Sequence, residues 1–265
     1  MKKYAEQLII VALVVVLGVT SSVEEPTITT PSTPLVAQVA NDILWHLDTD
    51  QLIGDTTITL SSDAFFKKPM SFRVFSLKEN LLNILGGVST KEERHLIFEC
   101  KDGYRPQVSL EDALSGKAYL AYGGWPDSLN QKLAPFYLVW LNTDVNDKQF
   151  PWPYALTNIR LQQVTDAFAA AKPKEAIHNK GFELFSNTCM RCHSVNKVGG
   201  TLALEFNYPK NITEYWTKEN IWHFIQNPQS FRYNSKMPPM TMINRSEFED
   251  IYGYLESMKD QPLSE

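Results

Sequence analysis

Two of the three cysteines in this 265-residue chain stand three apart, in Cys189-Met190-Arg191-Cys192, and His193 follows at once. Two thiols one helical turn apart, with an imidazole next to them, suit the covalent capture of a haem. Each thiol forms a thioether to one vinyl group, and the histidine lies beneath the iron as its proximal ligand. The other chemistries open to such a pair are a structural disulfide, a dithiol redox centre and half of a zinc site. Zinc needs a second Cys/His pair, and only Cys100 and scattered histidines remain outside the motif. A thioredoxin-like centre expects a strand before the pair, whereas the helical pattern "GFELFSNTC" runs into this one. One covalently attached haem c is the cofactor that the motif predicts.

A haem held this way needs a second axial ligand. The segment "NSKMPPM" (234–240) offers Met237, and Pro238 and Pro239 forbid helix there and hold the chain extended. A stiff loop of this kind can press a thioether onto iron from the far side. Met240 is the reserve ligand, and His223, in "IWHFIQNP", is the rival that would give a bis-histidine site. The plain alternative is that Met237, Met240 and Met242 fill gaps in a core. Trp216, Trp222, Phe224 and Tyr208 are aromatic candidates for the pocket wall.

The elements that must position these residues read as an α+β chain. "TITLSS", "SFRVFSL", "HLIFEC", "AYLAY" and "FYLVWL" have the alternation or the β-rich apolar content of strands. Short helices are expected over 78–85 and over 109–115, where Ser109 can cap. This block, 40–168, predicts a mainly β domain. Composition switches to Ala and Lys over 165–177, and helical periodicity follows over 181–189, 217–227 and 245–258, so an all-α domain is expected over 175–262. Gly253 inside the last helix costs about 1 kcal/mol relative to Ala, and a close helix contact is expected there.

The N-terminus reads as an export signal. Lys2 and Lys3 precede the short apolar run "LIIVALVVVLGV", and residues 1–22 are either a cleaved signal peptide or a retained membrane anchor. The Thr/Ser/Pro-rich stretch after it makes 23–39 a flexible linker and the periplasm the expected location. A net charge of −5 with no basic run argues against nucleic acid as a partner.

Residues 176–260 resemble the class I c-type cytochromes. The likeness is carried by Gly181, Phe182 and Phe185, by the Cys189 to His193 motif, by "NPQSFRYNSKMPP", and by Tyr254-Leu255. The resemblance implies that the first and last helices cross at Gly181, Phe185 and Tyr254. It also implies a backbone carbonyl that accepts the proximal histidine's N–H. The family usually supplies that carbonyl from a Gly-Pro before an acidic residue, where this chain has Ala203-Leu204-Glu205. Both axial positions then belong to the protein, which is the design of an electron carrier working between a redox donor and an acceptor.

The N-terminal block resembles the later part of a sulfite-oxidase-type molybdopterin domain, through "FECKDGYRPQVSLEDAL", "AYLAYGG", "APFYLVWLN" and "WPYALTNIRL". It departs from that family where cofactor chemistry would sit. No cysteine precedes Cys100, and Tyr137-Leu138 replaces the arginine of the family's G-x-P-x-R strand. The block is therefore expected to be a cofactor-free docking or scaffolding module, with Cys100 a plain buried thiol. His46 and His95 are expected to be surface or satisfied core residues, and the charged cluster Glu99, Asp102 and Arg105 to be solvated. The alternatives are a molybdenum oxidoreductase with a built-in haem relay, and a haem subunit of a larger dehydrogenase or oxidase.

Overall fold

Alternating β-branched and aromatic residues organise the first half of the chain into two antiparallel sheets. In the computed structural model, strands β1 (Val36–Val39), β2 (Asp42–His46), β9 (Leu156–Gln163), β5 (Arg94–Cys100) and β6 (Gln107–Ser109) form one sheet in that spatial order. Strands β3 (Thr56–Leu60), β4 (Met70–Ser76), β7 (Ala118–Gly123) and β8 (Tyr137–Trp140) form the other. The structure describes residues 36–39, 42–86, 94–147, 149–163 and 168–261, all within one compact unit that spans 31–265. The expected signal or anchor over 1–22, and the linker up to residue 35, lie outside the described residues. Among the described residues no helix is long and apolar enough to cross a membrane.

The five expected strands are present, and so are both short helices, α1 (Leu77–Leu85) and α2 (Leu110–Leu114). Ser109 caps α2 by accepting the Asp112 N–H at 3.0 Å. One difference lies at 36–39, where the expected linker is a strand. "VAQV" pairs antiparallel with β2, Val36 opposite Trp45, because its β-branched residues complete a hairpin. The core between the sheets is built on Leu96, Phe98, Leu120, Leu138 and Trp140, closed by α1 and α2. The far side of the second sheet holds Phe72, Val74, Tyr137 and Leu133, the last from the short helix α3 (Asn130–Leu133).

The second half is helical around its own core, with α4 (Asn179–Thr188), α5 (Lys218–Gln226), α6 (Pro228–Phe231) and α7 (Arg245–Ser257). It is not all-α, because a small hairpin of β10 (Ser194–Val195) and β11 (Val198–Gly199) follows the cysteine motif. Its two turn residues, Asn196 and Lys197, both have positive φ, as a tight hairpin turn requires. The Glu205 carboxylate accepts both of their N–H groups at 2.9 Å. Three buried asparagines then run from this hairpin to the end of the last helix. Asn211, Asn207 and Asn196 donate to the carbonyls of Leu255, Met258 and Gln261, which ties the hairpin region to the last turn of the helix and the chain just after it.

Helices α4 and α7 cross at Gly181. A Cβ there would run into the Asp250 carbonyl and lie 2.8 Å from Tyr254 Cβ. Phe185 and Tyr254 meet beside it at 5.4 Å, and Tyr254 donates its hydroxyl to the Ala171 carbonyl at 2.8 Å. Gly253 makes no such contact, since a Cβ there would meet only His178 Nδ1, at 3.7 Å. The close approach expected at Gly253 is therefore made by Gly181. Gly253→Ala should raise stability by about 1 kcal/mol, read as a higher denaturant midpoint with unchanged slope.

The β module meets the helical module through the turn after β5. Arg105 N–H donates to the Arg191 carbonyl at 2.8 Å, and Thr201 N–H to the Gly103 carbonyl at 2.9 Å. Gly103 has φ +88°, and a Cβ there would lie 2.5 Å from Thr201 Oγ1, so only glycine lets the two backbones come this close. Tyr104 is partly buried in this joint, and burial pushes its hydroxyl up to about 12 against the opposing charge of Arg191.

Of the expected solvated cluster, Asp102 is exposed but Glu99 is not. Glu99, 13% exposed, accepts from Arg105 and Arg160 on one oxygen and from Asn158 on the other, and His46 bonds Asn158 at 2.7 Å. Burial works to raise the Glu99 pKa, but the two guanidinium groups outweigh it and hold the carboxyl below its ordinary 4.5. The carboxylate therefore stabilises the fold fully above that value, and the contribution is lost as pH falls through the lowered one. Glu99→Gln should cost at most about 3 kcal/mol near neutrality. The gap to wild type should close in acid denaturation below pH 4.5, which a pH series of melts would read.

Candidate functional site

Helix α4 delivers the cysteine motif. Its buried side carries Gly181 and Phe185, which fix its height against α7, and its last turn ends on Cys189. Cys189 N–H and Met190 N–H both donate to the Phe185 carbonyl, and Cys192 and His193 N–H both donate to that of Cys189. These tight turns bring both thiols and the imidazole to one side. Neither cysteine is in a disulfide. Burial pushes the Cys189 thiol up to about 12, and it raises Cys192 as well, so both are held as thiols at neutral pH.

His193 is oriented from behind. Its Nδ1–H donates to the Leu204 carbonyl at 2.8 Å, and its ring stacks on Phe206 at 4.2 Å. Because a carbonyl only accepts, Nδ1 carries the hydrogen and Nε2 keeps a lone pair for another ligand. The acceptor implied by the family resemblance is thus Leu204, and the missing Gly-Pro leaves it intact because the bond uses backbone alone. Burial depresses the His193 pKa more than the Leu204 bond and the Glu205 charge raise it, which keeps the imidazole neutral.

Cys189, Cys192, His193 and Met237 line one cavity of about 290 Å³. Its wall is almost wholly apolar, with Phe185, Ile221, Ile243, Phe248 and Ile251 among the lining. A smaller lobe of about 80 Å³ adjoins it, and both His193 and Met237 line the two. That lobe is mainly apolar too, with Tyr215, Trp216 and Arg232 as polar side chains besides His193, while Lys236 stands at the larger lobe. The Arg232 guanidinium lies 5.5 Å from the centre of the Trp216 ring.

The loop carrying Met237 is held by two glutamines. Gln229 donates to the carbonyls of Ser235 and Met237, and Gln226 to those of Met240 and Ile243. Met240 lines the larger lobe only. His223 is exposed on α5 and lines neither lobe, so the geometry gives no bis-histidine pair. Of the aromatic candidates, Trp216 and Phe224 line the smaller lobe, Trp222 packs on Phe248 at 5.2 Å, and Tyr208 stands 61% exposed away from both. Arg232, Tyr215 and Phe206 went unpredicted. Arg232 and Tyr215 lie in irregular or 3-10 chain with no spacing signal, although Arg232 sits five residues before Met237 and was within reach of inspection.

The family described as Cytochrome C oxidase, cbb3-type, subunit III matches residues 176–255. Residues 176–255 are a cytochrome c family domain. Among known proteins, the cytochrome c oxidase subunit 2 of Alkalihalophilus pseudofirmus is 30% identical over 94 residues, 33% of this chain and 28% of that one. The chain therefore spans little more than a quarter of that relative. Cytochrome c type-1 of Ascaris suum is 26% identical over 107 residues, 34% of this chain and 96% of that protein. No solved structure matches. The family match leaves out the β module.

A cytochrome c domain implies haem binding and electron transfer, and the residues present fit that group. A largely apolar macrocycle suits these apolar walls, and Lys236 and Arg232 are cations that its carboxylates could meet. The thiols of Cys189 and Cys192, the free Nε2 of His193 and the Met237 thioether are the donors a c-type haem uses. In the β module the side chains have other tasks. Cys100 is buried at the end of β5, with its thiol pushed far up by burial. His95 packs its ring on Phe168 at 6.2 Å.

Proposed function

We propose that this chain is a periplasmic monohaem c-type cytochrome that passes single electrons between a donor and an acceptor protein. Cys189 and Cys192 hold one haem c by thioethers, and His193 and Met237 are the axial ligands of its iron. The observation that carries this reading is that these four side chains line one apolar cavity, with His193 already turned to offer Nε2. When bound, haem supplies a one-electron Fe(III)/Fe(II) couple, and a His/Met pair in an apolar pocket favours the reduced form. The Leu204 carbonyl and Phe206 hold the imidazole in place, and Gln229 steadies the methionine loop. Arg232 and Tyr215, in the smaller lobe, would be available to bind the haem carboxylates. With Met237 in the second axial position the protein leaves no coordination site for a substrate, so the domain carries electrons and does no bond chemistry.

The β module is, on this reading, a cofactor-free scaffold that fixes the haem domain and docks it to a redox partner. The apolar run near the N-terminus supports export, with or without retention in the membrane. A second reading, a haem subunit of a larger dehydrogenase or oxidase, is supported by the likeness to an oxidase subunit 2. The order of the "DGY" turn and the strands after it still supports a molybdenum oxidoreductase, while the lack of a cysteine before Cys100 speaks against one.

Elemental analysis of protein purified from its native cells separates these. One iron and no molybdenum per chain is the expected result, and stoichiometric molybdenum would overturn the carrier reading. Migration of the native protein in a complex far larger than 30.2 kDa would favour the subunit reading.

A further inference from the structure

The described residues also form a cleft outside the haem cavity. It lies between the outer face of the five-stranded sheet and the haem domain, and holds about 350 Å³. Period-two alternation along the strands puts Asp42, Arg160, Gln162, Ile97 and Gln107 side by side on that face, opposite the core residues Leu96, Phe98 and Ile159. The register makes Ile97 the partner of both Arg160 and Gln107. The facing wall comes from Phe168, Ser186, Met190 and the hairpin Lys197-Val198-Gly199.

The polar groups of this cleft are mostly donors, and several have no protein acceptor. Arg105 spends one guanidinium nitrogen on Glu99, and Arg160 spends Nε on Glu99 and faces Asp42 at 3.7 Å with another. Each keeps further N–H groups, because a guanidinium has five. Among the described residues the Lys197 ammonium makes no ion pair, and the amides of Gln107 and Gln162 make no hydrogen bond. Glu99 is already saturated by Arg105, Arg160 and Asn158. Of the charged side chains that line the cleft itself, Arg105, Arg160 and Lys197 are cationic and Asp42 is anionic, with Glu99 behind the two arginines and Glu205 bound to the Lys197 backbone. Phe168, Val198, Ile97 and Met190 supply an apolar surface beside those donors.

We infer that this cleft binds a small organic anion, a carboxylate or phosphate ester with an apolar body. The spare N–H groups of Arg105 and Arg160 and the Lys197 ammonium take its charge, the glutamine amides bond its remaining oxygens, and its body lies on Phe168 and Val198. Such a ligand rests against Met190 and Gly199, the backbone that carries the cysteines, so it occupies the joint between the two modules without entering the haem cavity. The site does not depend on the haem reading.

The test is isothermal titration calorimetry of the purified holoprotein with phenyl phosphate at fixed ionic strength, since screening weakens any such contact. Wild type is expected to show saturable binding at one site per chain. The double variant Lys197→Gln/Gln162→Ala removes groups on which no described contact of the fold depends, and a melt at wild-type temperature checks that it folds. It is expected to bind at least about tenfold more weakly, the loss of one charge-assisted hydrogen bond. Absence of saturable heat with wild type, or equal affinity in the folded double variant, would overturn the assignment.

Discussion

Met237→Ala leaves the haem attached to the chain and lets cyanide bind to it. The attachment rests on Cys189 and Cys192, which depend on α4 for their position and not on the methionine loop. That loop keeps its shape in the variant, because Gln229 bonds the Met237 backbone carbonyl, at 2.9 Å, and the side chain takes no part. The substitution therefore opens an axial position with little other change. The reduction potential should fall with the loss of the thioether, since axial ligands tune haem potentials over a range of roughly 0.8 V. Visible spectra during a cyanide titration read the first effect, and a spectroelectrochemical titration the second. An unaltered ligand-binding spectrum would remove Met237 from the axial position and bring Met240, which also lines the larger lobe, into its place.

Gly181→Ala should be the most damaging single methyl group in the helical domain. The added Cβ meets backbone, with the Asp250 carbonyl carbon at 2.6 Å, and no side-chain rotamer relieves it. Helices α4 and α7 must separate, at a cost of about 3 kcal/mol, the upper end for overpacking. The damage reaches the site, because α4 ends on Cys189 and its Phe185 lines the cavity. Lower thermal stability and a smaller yield of haem-loaded chain are expected together. The contrast with Gly253→Ala, the same substitution on the same pair of helices, isolates the close contact from helix propensity.

That four candidate ligands come together in one cavity was legible because they are side chains at telling spacing. Cys189, Cys192 and His193 are adjacent in sequence, and Met237 is announced by two prolines. What could not be read depends on backbone or on distant pairing. The Leu204 carbonyl looks like any other, so its role shows only once His193 folds back on it. Glu99 looks like a solvated turn charge until Arg160, 61 residues on, arrives from the next strand and Arg105 folds over it. Asn196, Asn207 and Asn211 read as loop residues, yet they are buried and bind the carbonyls of Gln261, Met258 and Leu255, 44 to 65 residues on. Gly253 was singled out because a glycine inside a helix invites an explanation. Gly181, in the first turns of α4, meets the partner helix instead, as the cytochrome resemblance implied and local propensity alone did not.

Mass spectrometry of the denatured holoprotein tests the central claim most directly, namely that Cys189 and Cys192 bind one haem covalently in a single cavity. Under denaturing conditions the chain should carry the mass of one haem, and the peptide from Asn187 to Asn196 should retain it after digestion. A chain at its unmodified mass, with Cys189 and Cys192 free or joined in a disulfide, would contradict the account.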